Sequence, residues 1–278
     1  MKKLLIVTDL DASFIDENYQ YSEAQEAIDT LKKLRFPLVF NSSKTLVECE
    51  SLANELELDT PRIAENGGII AVPKSSEVSS VCTPSDEHDW KDEGYYQTLI
   101  TGLSRDFILR QAHKARKEHG YDFTGFDDWS PEELSEITGL TNDDAILAKQ
   151  RHVSEPILWQ DSNANWHQFS AQMEAKWIRT LKGGKFIHLM GPSDKADGLK
   201  VIKQIYEARY PEVDWITVAL GDSDNDYEML KNADKGILIP HADGPKIEIP
   251  ESTPNITLAK YPASKGWNNA VLELIASL

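Results

Sequence analysis

The sequence predicts an α/β fold: a parallel sheet flanked by helices, with a smaller α+β unit inserted into it. Three observations carry that expectation. Leu4–Val7, Pro37–Phe40 and Trp215–Leu220 are nearly unbroken apolar runs, the pattern of strands covered on both faces rather than one. Helical patterns separate the first runs in a β–α–β–α–β order, which calls for crossover helices between parallel strands. Between about Asp86 and Lys185 the chain changes character, with more Trp, Asp and Glu and with strand-like runs set apart by longer helical patterns.

Each element has a local reason. Lys2 and Lys3 lead straight into the first strand, which ends in Asp9-Leu10-Asp11-Ala12-Ser13. Ser22–Leu34 is read as a helix with Ser22 as its N-cap and Gln25 three residues on, the spacing of a capping box. Ala24, Ala27, Ile28 and Leu31 mark its buried stripe. The strand Pro37–Phe40 ends at Asn41-Ser42-Ser43-Lys44, and Thr45–Leu56 is again helical. Ile63–Ile70 holds a third strand, a glycine turn and a return strand. In the inserted part, helices are expected over Leu103–Lys117 and from Pro131 to Thr138, the latter capped by Ser130 with Glu132 and Glu133 in its first turn. Pro156–Trp159 and Phe186–Met190 read as strands. The parallel pattern resumes with a helix over Asp197–Ala208 and the strand Trp215–Leu220, which ends at Gly221-Asp222-Ser223-Asp224-Asn225-Asp226. A short helix over Tyr227–Lys231, a strand over Lys235–Ile239 and a closing helix over Lys265–Leu278 follow. The expected division is a discontinuous core of residues 1–85 and 190–278 with residues 86–189 inserted.

With 278 residues the chain is long enough for one large domain or two modest ones, and its 40% hydrophobic and 27% charged residues are ordinary for a soluble protein. A formal charge of −17 argues against nucleic acid and against an anionic membrane surface as partners. Cys49 and Cys82 are too few for a disulfide framework and lie in no metal-binding spacing. No run is long enough to span a bilayer, and no cleavable leader is recognisable, so a cytoplasmic location is expected.

Three predicted parallel strands end in reactive residues: Asp9 and Asp11, then Ser42, then Asp222 and Asp226. Ligands of open α/β sheets collect at the carboxyl ends of the strands, so these groups are expected to converge. Alternation along a strand end puts the Asp9 and Asp11 side chains on one side, able to hold a hard cation and to leave one carboxylate free to attack phosphorus. Taken singly, each feature has an ordinary structural reading, as a turn, a helix cap or a solvated lysine.

Together they resemble the phosphatase branch of the haloacid dehalogenase superfamily, whose Rossmann-like core carries, in one branch, an α/β cap of type IIB after the third strand. Asp9-Leu10-Asp11 matches the first family motif, Ser42 the second, Lys195 the third and Gly221–Asp226 the fourth, and Glu65-Asn66-Gly67-Gly68 is similar to a turn of that branch. The resemblance implies that Asp9 is the nucleophile and forms an aspartyl phosphate, and that Asp11 is the general acid and base. It implies a metal set of Asp9, Asp11 through its carbonyl, Asp222 and Asp226 around Mg²⁺, with Asp226 and Asn225 better suited to orienting metal-bound water and the lysine than to binding the ion directly, and Asn225 counted among the substrate-binding residues. Ser42 and Lys195 then bind the phosphoryl oxygens. One departure stands out: Ala12-Ser13 replaces the usual Gly-Thr, and alanine takes φ > 0 less easily than glycine.

Within that branch the chain is similar to the mannosyl-3-phosphoglycerate phosphatase family. Asn41–Thr45, Glu65–Gly68, Phe123–Trp129 leading into Ile137–Leu140, and Arg151-His152-Val153-Ser154-Glu155-Pro156 carry this likeness. It implies Arg151 on the glycerate carboxylate with Lys149 or His152 nearby, Glu155 on sugar hydroxyls, and Ser43 and Lys44 on the floor beside the phosphate. An Arg151–Glu155 pair on the cap surface is the alternative. His167 and His188 are expected to be structural. The partner is a small phosphorylated sugar-glycerate, and the protein itself is expected to be a monomer or weak homodimer. Glucosyl-3-phosphoglycerate or another sugar phosphate is the alternative substrate; a phosphosugar-binding protein without turnover and a phosphomutase are the alternative classes. The cap is expected to close over substrate about hinges at Pro84–Glu87 and at Gly183–Lys185 or Gly191-Pro192.

Overall fold

The first strand shows how the layers are built. In the computed structural model, which describes residues 2–16 and 18–278, β1 (Lys2–Thr8) turns Leu4 and Ile6 to one apolar layer and Leu5 and Val7 to the other. Both sets are buried because helices cover both faces. On one face lie α1 (Gln25–Leu34), α2 (Leu46–Glu55) and the C-terminal α9 (Ala263–Ala276). On the other lie α7 (Lys195–Arg209) and α8 (Tyr227–Asn232).

Among the described residues the main sheet has nine strands. From β13 (Ile256–Leu258) through β12 (Lys235–Leu238), β11 (Asp214–Gly221), β1 and β2 (Leu38–Asn41) to β3 (Arg62–Ala64), all pairings are parallel. The order then reverses direction with β4 (Ile69–Pro73), β6 (Tyr96–Ile100) and β5 (Lys91–Glu93), all antiparallel. The insertion holds a second, antiparallel sheet in the order β7 (Phe123–Gly125), β8 (Ser154–Trp159), β10 (Phe186–Met190), β9 (Arg179–Gly183). Its outer face packs on α3 (Arg105–His119) and α6 (Asn163–Glu174) through Ile108, Phe169 and Met173. A separate apolar cluster joins α4 (Pro131–Thr138) and α5 (Asn142–Ala148) to Phe126 and Phe186.

Several expectations shift. Ser22 caps nothing: Ser22–Ala24 forms a turn of 3-10 helix, and α1 begins at Gln25 without a side-chain cap. The expected capping box appears instead at Thr45 and Glu48 ahead of α2, and at Ser130 and Glu133 ahead of α4. The core does not end at residue 85, because the β5–β6 hairpin pairs with β4 as part of the main sheet. The chain crosses between the two sheets at residues 101–104 and 191–194. There Gly102 and Gly191 lie so close that a Cβ on Gly191 would come 2.7 Å from the Leu103 nitrogen. Pro84–Glu87 therefore lies inside the core, before the hairpin, and Gly183–Lys185 is the β9–β10 turn rather than a crossing. The short strands β5, β7, β9 and β13 and the helices α5 and α6 have patterns too weak or too brief to read from the sequence.

Candidate active site

Asp9 follows β1, Asn41 and Ser42 end β2, the turn Glu65–Gly67 follows β3, and Asp222 follows β11, so four adjacent parallel strands deliver their reactive residues to one edge. Lys195 arrives from the first turn of α7, whose N-cap Asp194 bonds the N–H groups of Ala196 and Asp197. Close approach of the Glu65–Gly67 turn to this helix start requires a glycine: Gly67 sits at φ 93°, and a Cβ there would lie 2.0 Å from the Asp194 carbonyl oxygen.

The centre is a buried ion cluster. Lys195, 1% exposed, donates from Nζ to Asp9 Oδ1 and to Asp226 Oδ1, both at 2.6 Å. Burial pushes the Asp9 carboxyl well above the ordinary range; Lys195 pulls it back, while Asp226, Asp222 and Asp11 push it further up. Burial raises Asp222 as well, helped by Asp226 and opposed by its bond to His241. Burial alone would lower Lys195, but Asp226 and Asp9 hold it above its usual value, so it stays a cation. Oxygens of Asp9, Asp222 and Asp226 lie within 4.8 Å of one another, a hard donor set able to hold a metal ion. The second Asp226 oxygen accepts from the backbone nitrogens of Asp222 and Ser223, so both its oxygens are already engaged.

Two residues hold Asp222: Ser13, noted in the sequence only as part of the departure from the first motif, and His241, which no motif marked. Ser13 Oγ donates to Oδ1 at 3.1 Å, and His241 Nε2 lies 2.7 Å from Oδ2. Ser13 reaches it because Ala12 adopts φ 58°, the left-handed conformation for which glycine is better suited. The Ala12-Ser13 departure thus keeps the turn and supplies a hydroxyl to the acidic cluster.

A cavity of about 430 Å³ opens above the cluster and is lined by Asp9, Asp11, Asp222 and Asn225 below and by the inserted sheet above. Asp11, half exposed, pairs with Lys44 at 3.0 Å, and Lys44 also lies over the Tyr19 ring. Ser43 and Lys44 line the cavity as expected. Ser42 is fully buried beneath them, and its hydroxyl accepts from the Lys44 N–H, leaving its own proton to donate. Asn225 Nδ2 donates to the side-chain oxygen of Asn66, whose own Nδ2 is buried without a partner.

The cap residues divide. Arg151 lines the cavity, donating from Nη1 to the Ser43 carbonyl and to Ser154 Oγ, both at 3.1 Å, with its guanidinium over the Phe126 ring and Nε unpartnered. Glu155 does not reach the cavity. It is 1% exposed, accepts from Arg105 Nε at 2.8 Å and from the Asp127 N–H at 2.8 Å, and pairs with Arg105 rather than with Arg151. Lys149 is spent on the Phe126 and Trp129 carbonyls, and His152 is exposed and bonds through its backbone, its N–H donating to Glu65 and its carbonyl accepting from the Arg105 N–H. His167 is exposed on α6.

Glu65 joins the two sheets. At φ 49°, and followed by Asn66 at φ 56°, it is held in a left-handed turn and fully buried. Its carboxylate accepts from the His152 and Val153 N–H groups and from Ser154 Oγ, at 2.8, 3.1 and 2.5 Å. This core residue therefore sets where the segment that leads from Arg151 into β8 meets the site. His188, expected to be structural, instead lines the cavity. A polar residue inside the apolar run Phe186–Met190 was the available signal for it; His241, in a loop after β12, offered none.

Known proteins resemble the chain in sequence, and others share its architecture. A protein named glucosyl-3-phosphoglycerate/mannosyl-3-phosphoglycerate phosphatase from Methanococcoides burtonii is 37% identical over 98% of this chain and 97% of its own. One of the same name from Persephonella marina is 32% identical over 98% of this chain and 97% of its own. Among solved structures, a Thermoplasma acidophilum protein superposes with a TM-score of 0.67 at 15% identity, covering 99% of each chain. The sucrose-phosphatase of Synechocystis, in complex with sucrose and phosphate, gives 0.61 at 17% identity over 100% of this chain and 98% of that one. Residues 6–245 match the model of the haloacid dehalogenase-like hydrolases, and with the strand-end carboxylates and buried lysine assembled as described, the chain belongs to that family.

Proposed function

We propose that this chain is a Mg²⁺-dependent phosphatase that hydrolyses mannosyl-3-phosphoglycerate, and its glucosyl counterpart, to the glycosylglycerate and phosphate. The observation that carries the reading is the placement of Arg151 in the wall of the same cavity that exposes Asp9. A phosphate monoester at Asp9 whose organic half bears a carboxylate has a cation waiting for it, in a chain of net charge −17. The names of the two relatives point to the same substrate class.

The residues divide the work as follows. Asp9 attacks phosphorus, the bond to the glycerate oxygen breaks, and Asp11 delivers the proton to the departing alkoxide. Asp11 then takes a proton from water, which attacks the aspartyl phosphate and frees Asp9. Lys195 and the Ser42 hydroxyl steady the charge that spreads over the phosphoryl oxygens. Hard oxygen donors suit Mg²⁺: the Asp9 and Asp222 carboxylates and the Asp11 carbonyl would hold it, with Asp226 orienting Lys195 and the turn around Asp222. When bound, the ion offsets the repulsion between a carboxylate nucleophile and a phosphate dianion.

Phosphate release should be measured across both glycosyl-3-phosphoglycerates and simple hexose phosphates, with Mg²⁺ and with chelator, for wild type and Asp9→Asn. Turnover of the glycosyl phosphoglycerates by wild type alone, lost on chelation, is expected. Activity confined to hexose phosphates would remove the carboxylate from the reading, and equal rates for both proteins would remove the enzyme.

A further inference from the structure

We infer that His188 is a specificity-determining residue that hydrogen-bonds a hydroxyl of the substrate's sugar, an assignment that rests on the glycosyl phosphoglycerate reading above. Strand alternation in β10 turns Ile187 and Leu189 to the helices of the cap and leaves Phe186 and His188 on the opposite face, toward the core. His188 is 7% exposed and lines the cavity shared by Asp9 and Arg151, yet its Nδ1 is buried with no hydrogen-bond partner. Gly183, paired with Phe186 at the end of the β9–β10 ladder and diagonal to His188, leaves the ring its room: a Cβ there would lie 3.1 Å from both Cδ2 and Nε2.

An imidazole so placed contributes no hydrogen bond to the fold, so its polarity is unexplained until a ligand is present. Burial, with Arg151 and Lys195 nearby, lowers its pKa to about 3, so the ring is neutral under ordinary conditions. A neutral imidazole offers one N–H and one lone pair, the complement of a hydroxyl, which also gives one and accepts one. The carboxylate already has a cation in Arg151. The surrounding wall of Phe126, Phe186 and Leu181 is apolar, a surface against which the C–H face of a sugar packs while a few polar groups fix its orientation.

The test compares substrates that differ only in the sugar. Kinetics of wild type, His188→Leu and His188→Gln are measured with Mg²⁺ on glycosyl-3-phosphoglycerate and on 3-phosphoglycerate, which keeps phosphate and carboxylate. The preference for the glycosylated substrate, as the ratio of kcat/KM values, should fall about tenfold in His188→Leu, mainly through KM, and recover in part in His188→Gln. An unchanged ratio, including equal losses on both substrates, overturns the assignment. In the wild type, ¹⁵N-histidine NMR with His188→Gln identifying the signal should show the ring nitrogens shifting on addition of glycosylglycerate but not of glycerate. Equal shifts with both also overturn it. If wild type turns over no glycosyl phosphoglycerate, the underlying substrate reading fails instead, a distinct result.

Discussion

Replacing Lys195 by Met tests the ion cluster most directly. Methionine is unbranched, one atom shorter than lysine and uncharged, so Asp9 and Asp226 remain buried with no cation between them. Breaking a buried pair by removing one partner typically costs about 3–5 kcal/mol, and here one ammonium serves two carboxylates at 2.6 Å each, which places the expectation at the upper end. A chain of 278 residues unfolds with an entropy of about 0.6 kcal/mol per degree, so the upper end of that range should drop the melting temperature by about 7–9 °C. The loss also has a pH signature. Burial already raises Asp9 in the native state above its unfolded value, so the folded protein binds that proton more tightly and stability declines as pH rises through the interval between the two values. Without Lys195 the opposing pull disappears and the interval extends upward. The gap between variant and wild type should therefore narrow as pH falls from about 8 to about 5. Circular dichroism melts in chelator give both readings. A variant melting within about 1 °C of wild type at pH 8, or a gap that widens on acidification, would refute the account of the cluster.

Ser13→Ala and His241→Ala each remove one of the two groups holding Asp222, and each should weaken Mg²⁺ binding by about tenfold or more, read by calorimetric titration independently of turnover. Ala12→Gly, at φ 58°, should leave stability equal to or above wild type, whereas Ala12→Val should lose about 1–3 kcal/mol in urea melts; the opposite order would mean that the turn does not need the left-handed conformation. Glu155→Ala strands Arg105 and the Asp127 N–H inside the cap, so it should lower stability by about 3 kcal/mol. A selective rise in KM for the glycosylated substrate without loss of stability would instead return Glu155 to the substrate site.

The convergence of the strand-end carboxylates was legible because it rests on short, local patterns. Asp9 and Asp11 lie one residue apart at the end of an apolar run, and Gly221–Asp226 repeats that logic at the end of β11. Lys195 was assigned by family resemblance, and the fold brings it from 186 residues away onto Asp9. In the cap the same reasoning failed at Glu155, because nothing in Arg151-His152-Val153-Ser154-Glu155-Pro156 shows which neighbours reach its carboxylate. Arg105, 50 residues earlier, had carried no signal at all.

What the sequence determined by itself was the placing of carboxylates at the strand ends and the layered α/β core, since apolar runs, caps and paired carboxylates act over a few residues. The tertiary structure decided what depends on long-range partners. It showed that Glu65 fastens the segment beside Arg151, that Ser13 and His241 hold Asp222, that Glu155 is spent inside the cap, and that His188 faces the cavity. A side chain's role follows from whether its polar atoms are satisfied, and the partners that satisfy them are set by packing between elements far apart in the chain.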